Sequence, residues 1–198
     1  MWPPYLTELF IIFISYLIGS LSSAIIICKI TGAPDPRTAG SLNPGATNVL
    51  RVGGKSRAIA VLIGDTLKGL IAVIMASYFS EWVVACAFLA VFLGHLFPVF
   101  FKFKGGKGVA TALGGLFGLA WPIGLIVLGI WLMIVLLTRY SSLAAIIAAI
   151  SAPLITWGWL DSFYASTVFL ISTILLYRHK ENFKRLLQGT EPKIGHKS

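Results

Sequence analysis

The sequence predicts an all-α, polytopic integral membrane helix bundle. Three observations lead there. The chain of 198 residues is 57% hydrophobic and only 12% charged, far less charge than a soluble domain carries. Its mean hydropathy is +0.88. Long apolar runs recur at residues 9–18, 58–78, 82–101, 123–137, 143–155 and 163–176, and a membrane span needs about 20 mainly apolar residues.

These runs give about seven helical segments, over 5–30, 57–78, 82–101, 108–120, 122–138, 142–157 and 161–178, punctuated by Pro3/Pro4, Pro34/Pro36, Pro122 and Gly158. The N-terminal MWPPYLTE has no Lys or Arg and no small-residue cleavage site follows, so the first segment reads as a retained span rather than a signal peptide. Segment 108–120 reaches roughly 20 Å at about 1.5 Å per residue, short of the ~30 Å hydrocarbon core. It is expected as a half-span or a tilted helix. Asp65 and Lys68, three apart on one helix face, form an ion pair or belong to a site. Cys28 and Cys86 have neither metal nor redox spacing and read as small buried hydrophobes. A single membrane-embedded domain over 1–198 is expected, with a short amphipathic tail at about 179–198.

The basic residues orient the bundle. With the N-terminus outside, the loops 31–56, 102–107, 139–141 and the tail 178–198 fall inside. Of the 16 Lys and Arg, all but Lys68 lie there or at inner helix ends, Lys197 included. The outer connections carry Glu8, Glu81 and Asp161 and no Lys or Arg. The net charge of +9 is thus a property of the cytoplasmic face. Topology signalling and attraction to lipid headgroups explain part of it, but not why several cations are embedded in glycine.

Four polar stretches converge on that face. TGAPDPRTAGSLNPGATNVLRVGGKSR, residues 31–57, cannot continue the first helix because of its prolines. Its glycines let backbone amides form an anion-binding nest. Ser41, Asn43, Gly45, Thr47 and Asn48 add donors, Pro44 is placed to start a short helix, and Arg51 offers a fork suited to phosphate. GHLFPVFFKFKGGKGVATALGG, residues 94–115, sets Lys104, Gly105, Gly106, Lys107 and Gly108 ahead of the short helix. Phe101 and Gly108 stand where a Walker A loop needs Gly and Ser or Thr, so nucleotide hydrolysis has no support. Lys102 reads as a snorkelling side chain. His95 is either a hydrogen-bonded core residue or a donor or proton carrier at the pocket wall. In RYSS, 139–142, Ser141 and Ser142 cap a helix, contact a ligand, or both. YRHKENFKRLLQGTEPKIG, 177–195, reads distally as a basic amphipathic helix on anionic lipid. Its Arg178, His179 and Asn182 lie near the membrane end, within reach of a site.

Absences narrow the chemistry. Inner-face carboxylates are few (Asp35, Glu181 and Glu191), too scattered to hold Mg²⁺, and no His/Cys set suits zinc. No metal, cofactor or nucleic acid is expected. Two glycine-plus-cation cradles suggest two phosphate groups.

GSLNPGATNVLR and GHLFPVFFKFKGGKGVAT closely resemble two signature segments of the bacterial acyl-phosphate:glycerol-3-phosphate acyltransferases, the PlsY family, and RHKENFKRLLQGTEPKIG resembles a third. The resemblance covers almost the whole chain. The one departure is Leu42, where a small residue such as glycine is expected. The resemblance implies transfer of an acyl group from acyl phosphate to the 1-hydroxyl of glycerol 3-phosphate, giving lysophosphatidic acid and phosphate without a covalent acyl-enzyme. It also implies the bacterial inner membrane and contact with its lipids. The soluble enzyme that makes acyl phosphate is a further candidate partner. Ser41, Asn43, Thr47 and the amides near Gly45 would bind one phosphate. Arg51, Lys104, His179 and Asn182 would bind the other. Lys107 and the Gly105–Gly108 amides would neutralise the acyl-phosphate region. The catalytic candidates are His95, Lys104, His179 and Arg51, with Asn48 and Ser142 as further contacts; the proton goes to His95, to His179 or to the donor phosphate itself. The HisxxxxAsp pair of other glycerolipid acyltransferases is absent, because Phe100 and Lys184 stand five residues after the two histidines. The competing reading is an organic-phosphate transporter, disfavoured because the polar groups cluster on one face.

Overall fold

A computed structural model describes residues 3–195. Met1, Trp2 and the end of the tail, including Lys197, lie outside the described residues. The described residues form helices and no strands. The chain divides into two compact units, Met1–Leu119 and Ala120–Ser198.

The first unit holds α1 (Pro4–Ser20), α2 (Ser23–Ile30), α3 (Ala46–Val52), α4 (Lys55–Ala76), α5 (Glu81–Leu96) and α6 (Val109–Leu119). All seven expected segments contain helix, but the first is two helices and the third, expected over 82–101, ends as α-helix at Leu96, with a single 3-10 turn over Val99–Phe101 beyond the break. A 44° bend separates α1 from α2, because Leu21 and Ser22 are extended. A break inside a membrane protein must find partners for the groups it releases. The Leu21 carbonyl accepts from Lys68 Nζ at 3.0 Å. The other breaks are closed in the same way. α5 stops at Leu96 because Pro98 has no N–H to continue it. The freed Phe97 carbonyl accepts from the Tyr16 hydroxyl at 2.7 Å, and the His95 carbonyl accepts from Gly106 N at 3.2 Å.

Helices in lipid gain nothing by hiding apolar surface from one another, so close backbone approach drives their association. α1 packs on α5 and α4 on α6. Each crossing has glycine on both sides. A Cβ on Gly19 would run into Val91 O, and one on Gly94 into Tyr16 O. Likewise Gly69 abuts Thr111 O and Gly114 abuts Thr66 O. Phe88, Phe92 and Leu96 of α5 are fully buried between these crossings. The short helix α6, 11 residues and so about 16 Å long, bears out the expected half-span. Among the described residues, four helices are long and apolar enough to cross a membrane, or five if the bent α1–α2 pair counts as one span.

The second unit packs α7 (Trp121–Thr138) on α8 (Ser141–Trp159), α8 on α9 (Ser162–Arg178), and α10 (Lys180–Leu187) against α8 and α9. Asp161 caps α9, accepting from Tyr164 N at 2.9 Å. α10 is amphipathic as expected, with Phe183 and Leu187 on its exposed side. The chain after it does not trail away. Ile194 N donates to Arg139 O at 2.8 Å, and Arg139 Nη2 donates to Ile194 O at 3.1 Å.

Candidate active site

In the first unit the polar loop 31–45 is held from within. Asn48, 2% exposed, is its clamp. Nδ2 donates to Pro36 O at 2.9 Å and to Ala39 O at 3.0 Å, and Oδ1 accepts from Ser41 N at 2.8 Å. Both amide protons are spent on the loop, so the contact expected of Asn48 with a ligand is replaced by a structural task. Asp35 adds a fork to Arg37, with Oδ2 2.7 Å from Nη2. Hydrogen bonding to that guanidinium holds the Asp35 carboxyl below its ordinary range. Arg57, at the start of α4, donates to the Thr31 hydroxyl at 2.8 Å and to Gly53 O at 2.7 Å, tying the ends of α2 and α3 together. Arg51 therefore stands on a fixed helix. Gly45 is the N-cap of α3 and brings no side-chain oxygen to the first-turn amides. Ser41 is exposed, and Asn43, Thr47 and Arg51 are half-buried.

The loop 102–108 lies across the end of α5. A side chain at Gly105 would strike the carbonyls of His95 and Leu96. One at Gly106 would strike His95 Nε2 and sit 3.1 Å from Pro44 O. One at Gly108, φ +88°, would strike the Phe92 ring. Packing therefore demands these glycines whether or not a ligand is bound, a cause that the spacing of the sequence does not reveal. The same packing brings the first loop, at Pro44, the second loop, at Gly106, and His95 to one place. Lys104 is exposed and Lys107 half-buried around it.

Beneath this junction lies a buried polar cluster. Lys68 Nζ is 2.9 Å from Asp65 Oδ1 and 2.9 Å from His95 Nδ1. The three side chains are 3–6% exposed. The ion pair expected of Asp65 and Lys68 is present, and it reaches His95.

In the second unit, His179 is 4% exposed and its Nδ1 lies 2.9 Å from Leu175 O. A carbonyl only accepts, so Nδ1 carries a proton. Asn182 Nδ2 donates to Glu191 Oε1 at 2.7 Å, and Arg185 Nε donates to Oε2 at 2.7 Å. The Ser142 hydroxyl is buried without a well-directed hydrogen bond, although it lies close enough to Glu191 to act on it. Burial pushes the Glu191 carboxyl up, but Ser142, Asn182 and Arg185 together pull it below its ordinary value. Three expected contacts, Ser142 of the 139–142 stretch and His179 and Asn182 of the tail, are thus all buried, and Glu191 joins Ser142 and Asn182. Sequence reasoning counted Glu191 only as a scattered carboxylate. A lone buried-capable carboxylate in a basic tail was the available signal.

A family model described as glycerol-3-phosphate acyltransferase matches residues 9–189. The chain belongs to this family. It is 53% identical over 187 residues to the glycerol-3-phosphate acyltransferase of Methylococcus capsulatus, covering 92% of this chain and 94% of that one. With the enzyme of Shewanella halifaxensis it shares 50% over 196 residues, 97% of this chain and 98% of that one. Among solved structures it resembles PlsY, an integral membrane glycerol 3-phosphate acyltransferase, in its glycerol 3-phosphate form. There the TM-score is 0.92 at 42% identity, over 96% of each chain. The lysophosphatidic acid form of PlsY gives a TM-score of 0.89 at the same identity and coverage. The helical fold and the integral membrane character of the family agree with the reading from composition. Tyr16, which sequence reasoning passed over, closes the end of α5 at Phe97 O, and Arg57, read from sequence only as a basic residue at an inner helix end, ties α2 to α3.

Proposed function

We propose that the protein transfers a fatty acyl group from acyl phosphate to the 1-hydroxyl of glycerol 3-phosphate in a bacterial inner membrane, forming lysophosphatidic acid and phosphate. The observation that carries this reading is the junction in the first unit, where two cation-bearing loops and His95 meet at Pro44 and Gly106. Family membership supplies the acceptor, and the solved relatives in glycerol 3-phosphate and lysophosphatidic acid forms support an acceptor and a product of these classes. The two-cradle pattern favours a donor that also carries a phosphate.

Acyl phosphate is a mixed anhydride with a good leaving group, so positioning and charge stabilisation suffice. The glycerol oxygen attacks the acyl carbon, the carbon–oxygen bond to phosphate breaks, and the hydroxyl proton leaves with the departing phosphate. No acyl-enzyme forms. Arg51, Lys104 and Lys107 compensate the phosphate charges. Ser41, Asn43, Thr47 and the amides near Gly45, Gly105 and Gly108 direct them. Gly106 N–H is already given to His95 O, and Asn48 acts by holding the loop. Ser142, His179 and Asn182, in the second unit, are further candidate substrate contacts. The positive-inside pattern supports a topology with the N-terminus outside and the cation-bearing loops and C-terminal tail on the cytoplasmic side, where the tail would meet lipid and the soluble enzyme that makes acyl phosphate is the candidate partner.

The test uses protein purified in detergent with palmitoyl phosphate and glycerol 3-phosphate, beside a sample given palmitoyl-CoA. Phosphate and lysophosphatidic acid rising together with acyl phosphate alone is the expected result. Product from palmitoyl-CoA alone overturns the donor. No product from either, with uptake of glycerol 3-phosphate by sealed vesicles, overturns the enzyme in favour of a transporter.

A further inference from the structure

The cluster beneath the loop junction has a feature that simple ion pairing does not require. The Lys68 ammonium has three protons and no lone pair. Leu21 O at 3.0 Å and His95 Nδ1 at 2.9 Å accept hydrogen bonds from it, and Asp65 Oδ1, at 2.9 Å, pairs its charge; that oxygen is 3.7 Å from His95 Nδ1, too far to take a hydrogen bond from the ring. Asp65 alone would pair the charge. The break between α1 and α2 supplies the carbonyl, and α5 supplies the imidazole. The ring nitrogen facing Lys68 is therefore an acceptor, and in a neutral imidazole the proton then sits on the other nitrogen, Nε2. If a proton passes from Lys68 to the ring, Nδ1 donates to the amine and Nε2 keeps its proton. Only a neutral lysine accepting from Nδ1–H bares Nε2. That arrangement leaves the Asp65 carboxylate, 3% exposed, with no cation beside it, a costly state for a buried charge.

Nε2 points to where the two loops meet, against Gly106 and near Pro44. Resting on the reading of those loops as the substrate cradle, we infer that Lys68, anchored by Asp65 and the Leu21 carbonyl, fixes His95 with its proton on Nε2, so that His95 acts at the loop junction as a hydrogen-bond donor and does not take the hydroxyl proton there. Asp65 and Lys68 are positioning residues acting through His95. A donor at that point suits the oxygens of a phosphate or of an acyl carbonyl gathering charge. The arrangement also accounts for a buried lysine deep in a span that carries few other charges, since a cation there is costly unless it serves a partner.

The protein labelled with ¹⁵N in the imidazole rings, in detergent near neutral pH, tests this directly. The chain has three histidines, and His95→Gln identifies the signal by its loss. The expected result is a proton-bearing Nε2 on His95 in the unsubstituted enzyme, kept in Lys68→Arg, because a guanidinium also only donates. Lys68→Met releases Nδ1 and brings up the form with the proton there. A bare Nε2 in the unsubstituted enzyme overturns the inference, and that measurement stands even where Lys68→Met does not fold. A folded Lys68→Met with an unchanged His95 pattern also overturns it. In turnover, His95→Gln, which keeps an N–H donor, should exceed His95→Ala by about tenfold or more in kcat; equal losses contradict a donor role. A proton on Nε2 in a chain that transfers no acyl group removes the proposed function, and with it the donor role toward substrate, while the fixing of the His95 proton by Lys68 stands. A bare Nε2 in an active acyl-phosphate enzyme does the reverse.

Discussion

Asn48 shows how a polar residue in a candidate site serves it without touching substrate. Its amide joins Pro36, Ala39 and Ser41, so the shape of the first loop depends on one buried side chain. Asn48→Ala leaves those three backbone groups to find new partners, at roughly 1–3 kcal/mol. We predict a lower thermal midpoint and a raised KM for glycerol 3-phosphate; unchanged values of both would show that the loop holds itself. Leu42 tests the same loop from outside. It is exposed and has φ +60°, a left-handed conformation that costs an L residue about 1–2 kcal/mol. Leu42→Gly should therefore hold or raise stability, by about 1 kcal/mol at most after the glycine entropy is counted. A clear drop in thermal midpoint would mean that the leucine side chain contributes more than its backbone strain removes. The resemblance had marked Leu42 as the departure from an expected small residue, and its dihedral angle supplies the reason.

At the level of elements, the crossings of α1 with α5 and α4 with α6 are set by glycine, so their fragility is specific. Gly114→Leu places a branched side chain against Thr66 O, and backbone has no rotamer with which to yield. Overpacking costs typically about 1–3 kcal/mol, occasionally more. Gly129, with nothing near its Cβ, is the control. Thermal unfolding in detergent should show Gly114→Leu far below the unsubstituted chain and Gly129→Leu close to it; similar midpoints would remove the close-approach account. The tail offers a second test. Ser142, Asn182 and Arg185 hold the Glu191 carboxylate below its ordinary value of 4.5. Because the folded value is depressed, this stabilisation is complete above the ordinary value and is lost as pH falls through the folded one. Glu191→Gln at neutral pH should mimic the acid state. A loss of roughly 1–2 kcal/mol raises the open fraction of the tail about five- to thirtyfold, read as faster tryptic cleavage after Arg185 and Lys193. A rate equal to that of the parent would show that Glu191 does not fasten the tail.

For the whole molecule, the positions of the two polar loops were legible because glycine, proline, small polar residues and cations contrast sharply with an apolar chain. The helices were legible for the same reason, down to the half-span at α6. What stayed hidden depends on contacts between distant segments. The bend at Leu21 has no proline or glycine at the break, and its carbonyl is answered by Lys68, 47 residues on. The glycines at 105, 106 and 108 fit an anion nest from sequence, yet each is also required by α5 beneath it. Neither the clamp at Asn48 nor the fastening at Glu191 follows from spacing. We propose a direct acyl transfer whose proton leaves with phosphate, with no covalent stage. Its sharpest test is phosphate release from palmitoyl phosphate at stoichiometric enzyme, followed with and without glycerol 3-phosphate. Direct transfer predicts release only when glycerol 3-phosphate is present, equal to the lysophosphatidic acid formed. A burst equal to the enzyme in its absence, with the protein gaining the mass of an acyl group, would contradict it.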